Sequence, residues 1–171
     1  GGYLMNVYCN DSSGNINNSE SLSFSVDTTL IENCANLTLA NTVYNQNANI
    51  ENDTLTTDCI IISDENITFN GNGYFIKSED NFTGVFSNSF NTTVKNCNIS
   101  MGSDADVGAM GIEMGDNADN SSLINNIIIG EMDYGIKFGY LNNGPDYSLI
   151  QDNYINVSSI NANDTYLGTP G

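Results

Sequence analysis

A short unit recurs four times in the middle of this chain and limits its possible folds more than any other feature. The first residues of successive copies are 25, 30 and 26 positions apart. The copies span 69–74, 94–99, 124–129 and 150–155. A period in this range is typical of solenoids, in which each repeat is too small to bury its apolar face alone. We therefore predict about five stacked coils built from short strands.

A second series of residues interleaves with the first. Gly84, Gly111 and Gly135 each precede a short apolar strand pattern, with spacings of 27 and 24 residues. Two interleaved series of similar period indicate that each coil contains more than one strand.

The first and sixth residues of the three clearest copies are apolar, so we expect both to face the interior of a coil. These pairs are Val94 and Ile99, Ile124 and Ile129, and Ile150 and Ile155. Asn96, Asn126 and Asp152 share the third place. Asparagine repeated at one turn can stack into a ladder whose amides bond from coil to coil, and Asp152 would interrupt or end it.

The charge is strongly one-sided. The chain of 171 residues has 21 Asp and Glu residues against three Lys, with no Arg, His or Trp, and its net charge is −18. The charge therefore argues against nucleic acid and anionic lipid surfaces as partners, because both attract basic proteins. No run of 18 apolar residues is present, so we predict no membrane span. The absence of a signal peptide and the opening Gly-Gly favour a processed or partial piece of a longer protein.

Asparagine is strongly over-represented, with 30 residues, and eleven of them begin an Asn-x-Ser/Thr triplet. This number is about double what the composition gives by chance, which favours a secreted chain carrying N-linked glycans. The predicted glycosylation sites are Asn10, Asn17, Asn36, Asn52, Asn66, Asn81, Asn91, Asn98, Asn120, Asn156 and Asn163.

The four cysteines predict one disulfide. Cys34 and Cys59 are 25 residues apart, which is about one repeat, so they would lie one above the other on adjacent coils. Neighbouring strands are about 4.8 Å apart, within the Cα separation that a disulfide tolerates. We expect Cys97 to be a small buried thiol. The sequence leaves open whether Cys9 and Cys97 pair.

Residues 1–28 predict a β-hairpin. Residues 3–9 and 21–26 favour strands, and residues 10–15 form a turn cluster. The segments 7–15 and 24–29 resemble the last two strands of an immunoglobulin-like domain of archaeal and bacterial surface proteins. This resemblance implies that the remaining strands lie upstream in a longer precursor, or that another subunit supplies them by strand addition.

Residues 29–171 predict the solenoid. Three motifs stand near its start: Cys34-Ala-Asn-Leu-Thr, Asp58-Cys-Ile-Ile-Ile and Asn66-Ile-Thr-Phe-Asn-Gly-Asn-Gly. Together they resemble the start of right-handed parallel β-helices of the NosD and pectate-lyase-like group, above all those of archaeal surface proteins. The resemblance implies an all-β fold, a right-handed parallel β-helix preceded by a partial immunoglobulin-like hairpin.

A fold of this kind could support three kinds of chemistry. Relatives in that group include polysaccharide lyases and hydrolases, but the Arg, His, Gly-His-Gly and Arg-x-Lys elements of those enzymes are missing here, so we predict no enzyme activity and no catalytic residues. The carboxylates of Asp104, Asp106, Asp116 and Asp119 are suited to bind Ca²⁺. The alternative is that these four are solvated turn residues. No other cofactor is indicated. Exposed tyrosines are the only candidates for a carbohydrate platform.

These patterns together predict an extracellular structural glycoprotein at the cell surface. Its partners would be copies of itself, joined head to tail or by strand addition into a filament, sheath or surface layer. A carbohydrate-binding or adhesion segment of a larger surface protein is the alternative, and surface glycans would then be the partners.

Overall fold

The repeats stack as a parallel β-helix of about five coils in a computed structural model. The structure describes residues 2–10, 16–25, 29–103, 108–139, 144–158 and 163–167, with side chains in 29–103, 108–139 and 144–158. All regular elements in these ranges are strands. Among these residues no helix is long and apolar enough to cross a membrane.

The first strand of each coil lies in sheet 1. Its members are β4 (Ala35–Leu37), β7 (Ile60–Ile62), β10 (Thr83–Ser87), β13 (Met110–Met114), β16 (Tyr134–Phe138) and β19 (Asn163–Leu167). The strands pair in parallel in this order. Because β19 pairs with β16, the described chain begins a sixth coil.

Sheet 2 and sheet 3 complete each coil, and their strands also pair in parallel. Sheet 2 contains β3 (Leu30–Ile31), β5 (Val43–Gln46), β8 (Thr68–Asn70), β11 (Thr93–Lys95), β14 (Ser122–Ile124) and β17 (Leu149–Gln151). Sheet 3 contains β6 (Ile50–Glu51), β9 (Phe75–Ser78), β12 (Asn98–Met101), β15 (Ile127–Gly130) and β18 (Tyr154–Val157).

The core is made of apolar columns that run along the stack. In sheet 2 the inward column contains Tyr44, Phe69, Val94 and Leu123, all of them buried. Parallel in-register pairing places equivalent residues directly above one another, so each side chain packs on its counterpart in the next coil. Each such side chain stabilises the fold by about 1.5–3 kcal/mol through removal from water.

The glycine series marks where sheet 1 approaches sheet 3 most closely. Gly84, Gly111 and Gly135 lie beside one another, as the register of Val85, Ile112 and Ile136 shows. A Cβ atom at Gly111 would lie 2.5 Å from the Gly135 carbonyl oxygen and 2.5 Å from Cγ2 of Ile128. The predicted second series is therefore confirmed, and its glycines have a steric cause.

The register of the third repeat copy was predicted wrongly by one residue. Val94 pairs with Leu123, and Ile99 pairs with Ile128. Leu123 and Ile128 are the buried residues of this coil, whereas Ile124 is half-buried and Ile129 is exposed. Successive side chains of a strand point to opposite faces, so a shift of one residue exchanges the core face with the solvent face.

The predicted disulfide between Cys34 and Cys59 is confirmed, with a Cα–Cα distance of 4.5 Å. It joins the first two coils beside β4 and β7, where the Ala35 amide also donates to the Cys59 carbonyl oxygen. The covalent bond therefore ties the first coil of the described stack to the second.

The N-terminal segment forms the predicted hairpin. Strands β1 (Gly2–Asn10) and β2 (Ile16–Ser25) pair antiparallel, with a register shift between Val7 and Cys9. They form a two-stranded sheet to which no other described strand belongs. Two strands do not define an immunoglobulin-like module, so that assignment stays a prediction.

Candidate assembly and modification surfaces

An asparagine ladder lines the corner between sheet 1 and sheet 2. Asn66, Asn91 and Asn120 each stand just before a strand of sheet 2 with a φ of 55–59°. Asn91 Nδ2 donates to Asn66 Oδ1 over 2.7 Å, and Asn120 Nδ2 donates to Asn91 Oδ1 over 2.9 Å. Asparagine tolerates this left-handed conformation better than other residues with a side chain, which explains its recurrence here. We call these three residues the upstream ladder.

A second ladder lines the corner between sheet 2 and sheet 3. Its amides donate from Asn70 to Asn45, from Asn96 to Asn70 and from Asn125 to Asn96, over 3.1, 2.9 and 2.8 Å. Asn96, Asn125 and Asp152 occupy this corner in successive coils, with left-handed φ angles of 54°, 53° and 55°. Since a carboxylate has no amide hydrogen to donate, the amide bonds of this downstream ladder end at Asn125.

Asn126 was predicted to belong to the ladder, and this is wrong because of the register shift described above. Its side chain is fully buried inside the coil. Asn126 Nδ2 donates to the Val94 carbonyl oxygen and to Asn153 Oδ1, and its Oδ1 accepts from the Cys97 amide. Every polar atom of this buried amide therefore has a partner, as burial requires.

Cys97 is the buried free thiol that the sequence predicted. Its Sγ donates to the Lys95 carbonyl oxygen over 3.3 Å, and desolvation by burial raises the pKa of the thiol to about 12. Gly71 lies against it, and a Cβ atom there would be 2.7 Å from Cys97 Cα. The site has no room for a substrate and its thiol stays protonated, so it is structural rather than reactive.

The glycosylation triplets lie on the surface wherever their side chains are described. Asn36, Asn81, Asn120 and Asn156 are exposed, and Asn52, Asn66, Asn91 and Asn98 are half-buried. The side chains of Asn10, Asn17 and Asn163 lie outside the described residues. All eight described sites thus retain contact with solvent, although their amides differ in what they bond.

The predicted Ca²⁺ ligands are not gathered into one site by the described residues. Asp104 and Asp106 lie outside the described ranges. Asp119 Oδ1 accepts from the backbone amide of Asp146 over 2.7 Å, and Asp116 is exposed in the same turn. Within 29–103, 108–139 and 144–158, no three acidic, Cys or His side chains converge as metal ligands would. Calcium binding therefore stays a prediction.

The two ends of the described stack expose core positions. Ile150 continues the inward column of sheet 2, yet 40% of it is exposed, because no described strand of sheet 2 follows β17. At the other end, a hollow of about 450 Å³ opens over the first coil. The residues that line this hollow are Leu30, Ile31, Ala35, Asn36, Leu37, Thr38, Leu39 and Tyr44. Both ends therefore present apolar surface suited to another protein layer.

No protein-family model, curated protein or solved structure was found to match this chain. The resemblance to the pectate-lyase-like group and to archaeal surface proteins therefore rests on the sequence motifs alone.

Proposed function

We propose that this chain is an extracellular structural glycoprotein, the subunit of a surface filament, a sheath or a surface layer. The observation that carries the proposal is the open inward column at Ile150. Its counterparts Val94 and Leu123 are completely buried by the coils on either side, whereas among the described residues a coil packs on only one side of Ile150. A neighbouring subunit seated on this end would bury the column in the same way.

Backbone edges support the same arrangement. The described stack begins with strands β3, β4 and β6 and finishes with β17, β18 and β19, which each have a partner on one side only. Unpaired strand edges readily pair with another chain, and a head-to-tail contact that does not close into a ring produces a fibre. The N-terminal hairpin has free edges of its own and supports addition of its strands to a neighbour.

The location outside the cell is supported by chemistry. A disulfide between Cys34 and Cys59 is stable in oxidising compartments and rare in the cytosol. The eleven glycosylation triplets and the net charge of −18 suit a hydrated, sugar-coated surface.

A charge placed at the open column tests assembly. We expect native material to sediment as polymers and Ile150→Asp to sediment as a monomer, because the change buries an unpaired carboxylate at the contact. Ile129→Asp is the matched control: Ile129 is also 40% exposed but lies on the outer face of sheet 3. A wild-type protein that stays monomeric, or an Ile150→Asp variant that polymerises like wild type, refutes head-to-tail assembly.

An adhesion function is the second candidate, and the exposed aromatic side chains favour it. Tyr147 is 90% exposed at a turn, and Tyr154 is also exposed in β18. Tyrosine rings on a surface can serve as stacking platforms for sugars. A glycan array with saturable binding that Tyr147→Ala and Tyr154→Ala abolish would support this function, whereas an array without binding would contradict it.

A further inference from the structure

We infer that glycans occupy an open set of triplets, Asn36, Asn52, Asn66, Asn81, Asn98 and Asn156, and that the ladder residues Asn91 and Asn120 stay unmodified. The inference rests on the proposed extracellular glycoprotein and states which of its sites accept sugar. It follows from what each asparagine Nδ2 atom bonds, because Nδ2 is the atom that N-glycosylation modifies.

The reaction requires an Nδ2 atom that the transferase can reach, because the sugar replaces one of its two hydrogens. This nitrogen attacks the anomeric carbon of a sugar that is joined to a lipid through a phosphate ester, and the new bond is C–N. The bond between the anomeric carbon and the phosphate oxygen breaks, and its electron pair leaves with the phosphate. The nitrogen loses one proton to a base of the transferase, and the product amide keeps one hydrogen.

The Nδ2 atoms of Asn91 and Asn120 are engaged in the upstream ladder. Asn91 Nδ2 donates to Asn66 Oδ1, while Asn91 Oδ1 accepts from Asn120, so the amide is held between two coils. The backbone amide of Asn91 also donates to the Asp119 carbonyl oxygen over 2.8 Å. Since coils are only about 4.8 Å apart, a sugar on this nitrogen would separate the ladder.

The open set has amides with a different geometry. Asn52 Oδ1 accepts from both the backbone amide and the hydroxyl of Thr54, the third residue of its own triplet. Asn36 Oδ1 accepts from Ser63 Oγ over 2.5 Å, and Asn66 Oδ1 accepts from Asn91 Nδ2. In all three residues the oxygen is used, and the described residues provide no acceptor for Nδ2, which leaves the nitrogen free to react.

The other open sites lie on surface strands or turns. Asn98 stands in β12 with Ser100 two residues later, so both side chains of the triplet point away from the core. Asn156 lies in β18 and is exposed, and Asn81 is exposed in the turn between β9 and β10. No described residue accepts a hydrogen bond from the Nδ2 atoms of these three asparagines.

This division places the sugars on sheet 1, on sheet 3 and on the turns beside them. Asn36 belongs to sheet 1, Asn98 and Asn156 belong to sheet 3, and Asn52 and Asn81 follow strands of sheet 3. Sheet 2 and the downstream ladder contain no triplet asparagine, and they form the surface on which subunits could pack laterally without crossing glycans.

Glycopeptide mass spectrometry of the native protein tests the inference directly. We expect a sugar mass on the peptides of the open set and none on Asn91 or Asn120. Modification of Asn91 to the same extent as Asn81 would overturn the inference and leave the proposed glycoprotein intact. Absence of sugar from all eleven triplets would overturn both.

A matched pair of variants tests the cause. Asn66→Asp keeps an oxygen acceptor for Asn91 Nδ2, whereas Asn66→Ala removes it, and both eliminate the triplet at 66. We expect Asn91 to gain sugar in Asn66→Ala only. An Asn91 that stays unmodified in a folded Asn66→Ala protein would show that the ladder bond does not protect it. If Asn66→Ala fails to fold, the wild-type glycopeptides decide.

Discussion

Removal of the Cys34–Cys59 disulfide tests how the first coils are held. The bond closes a loop with a sequence separation of 25 residues. The chain-entropy relation for this loop gives a loss of about 3.5 kcal/mol in the free energy of unfolding at 25 °C. For a chain of this size each kcal/mol shifts the melting temperature by about 2–4 °C, so we expect a decrease of about 7–14 °C.

Differential scanning calorimetry of Cys34→Ala/Cys59→Ala against the oxidised wild type measures this decrease. Hydrogen exchange should show lost protection in β4 and β7 and retained protection in β11 and β14, because solenoid repeats interact mainly with their neighbours. Reductant added to the double variant is the control for any other thiol. A melting temperature within about 2 °C of wild type would refute the stabilising role of the closed loop.

Three further predictions concern the corner between sheet 2 and sheet 3. Gly71→Ala should lower the free energy of urea unfolding by about 3 kcal/mol, because its Cβ would lie 2.7 Å from Cys97 Cα. Gly73→Ala is the control: it has open space and a φ of 78°, and it should cost about 1 kcal/mol. Equal costs for the two variants would refute the steric argument. In thermal unfolding, Asn96→Ala should cost about 2–3 kcal/mol of stability and Asn96→Gly about 1–2 kcal/mol, because both lose the ladder hydrogen bonds but glycine accepts the left-handed φ. An Asn96→Ala variant as stable as wild type would contradict a stabilising role of the ladder. In a Cys9→Ser background, Cys97 should resist an aromatic disulfide reagent at pH 8 until the protein is unfolded, and rapid labelling of the native protein would contradict this. The free energy of unfolding should fall as pH rises above 9.0, because the unfolded thiol then ionises while the folded thiol, with a pKa of about 12, does not.

Much of the fold was readable from periodicity. Repeat spacing predicted stacked coils of short strands, and the resemblance of residues 34–73 to β-helix proteins implied their parallel arrangement. The 25-residue interval between Cys34 and Cys59 predicted their disulfide, because one turn of a coil returns the chain to the same corner. The glycine series was also correct. The buried position of Cys97 followed from its place in a repeat.

The members of the ladder were harder to predict. Asn125 and Asn126 are adjacent and followed by three isoleucines, so two registers satisfy the sequence pattern equally well. A spacing of 29 rather than 30 residues is selected by the packing of Leu123 against Val94 and of Ile128 against Ile99. The upstream ladder was not recognised, although Asn66, Asn91 and Asn120 recur at spacings of 25 and 29, close to the repeat period.

The sequence by itself determined that this chain builds stacked coils, because a period of about 25–30 residues of short apolar segments has few other ways to bury them. Tertiary structure alone decided which of two adjacent asparagines is buried and which joins a ladder, since that choice depends on inter-coil register. It also decided which triplet asparagines have a free Nδ2. Each triplet is identical in pattern, and only the neighbouring coil provides the oxygen that Asn91 and Asn120 bond.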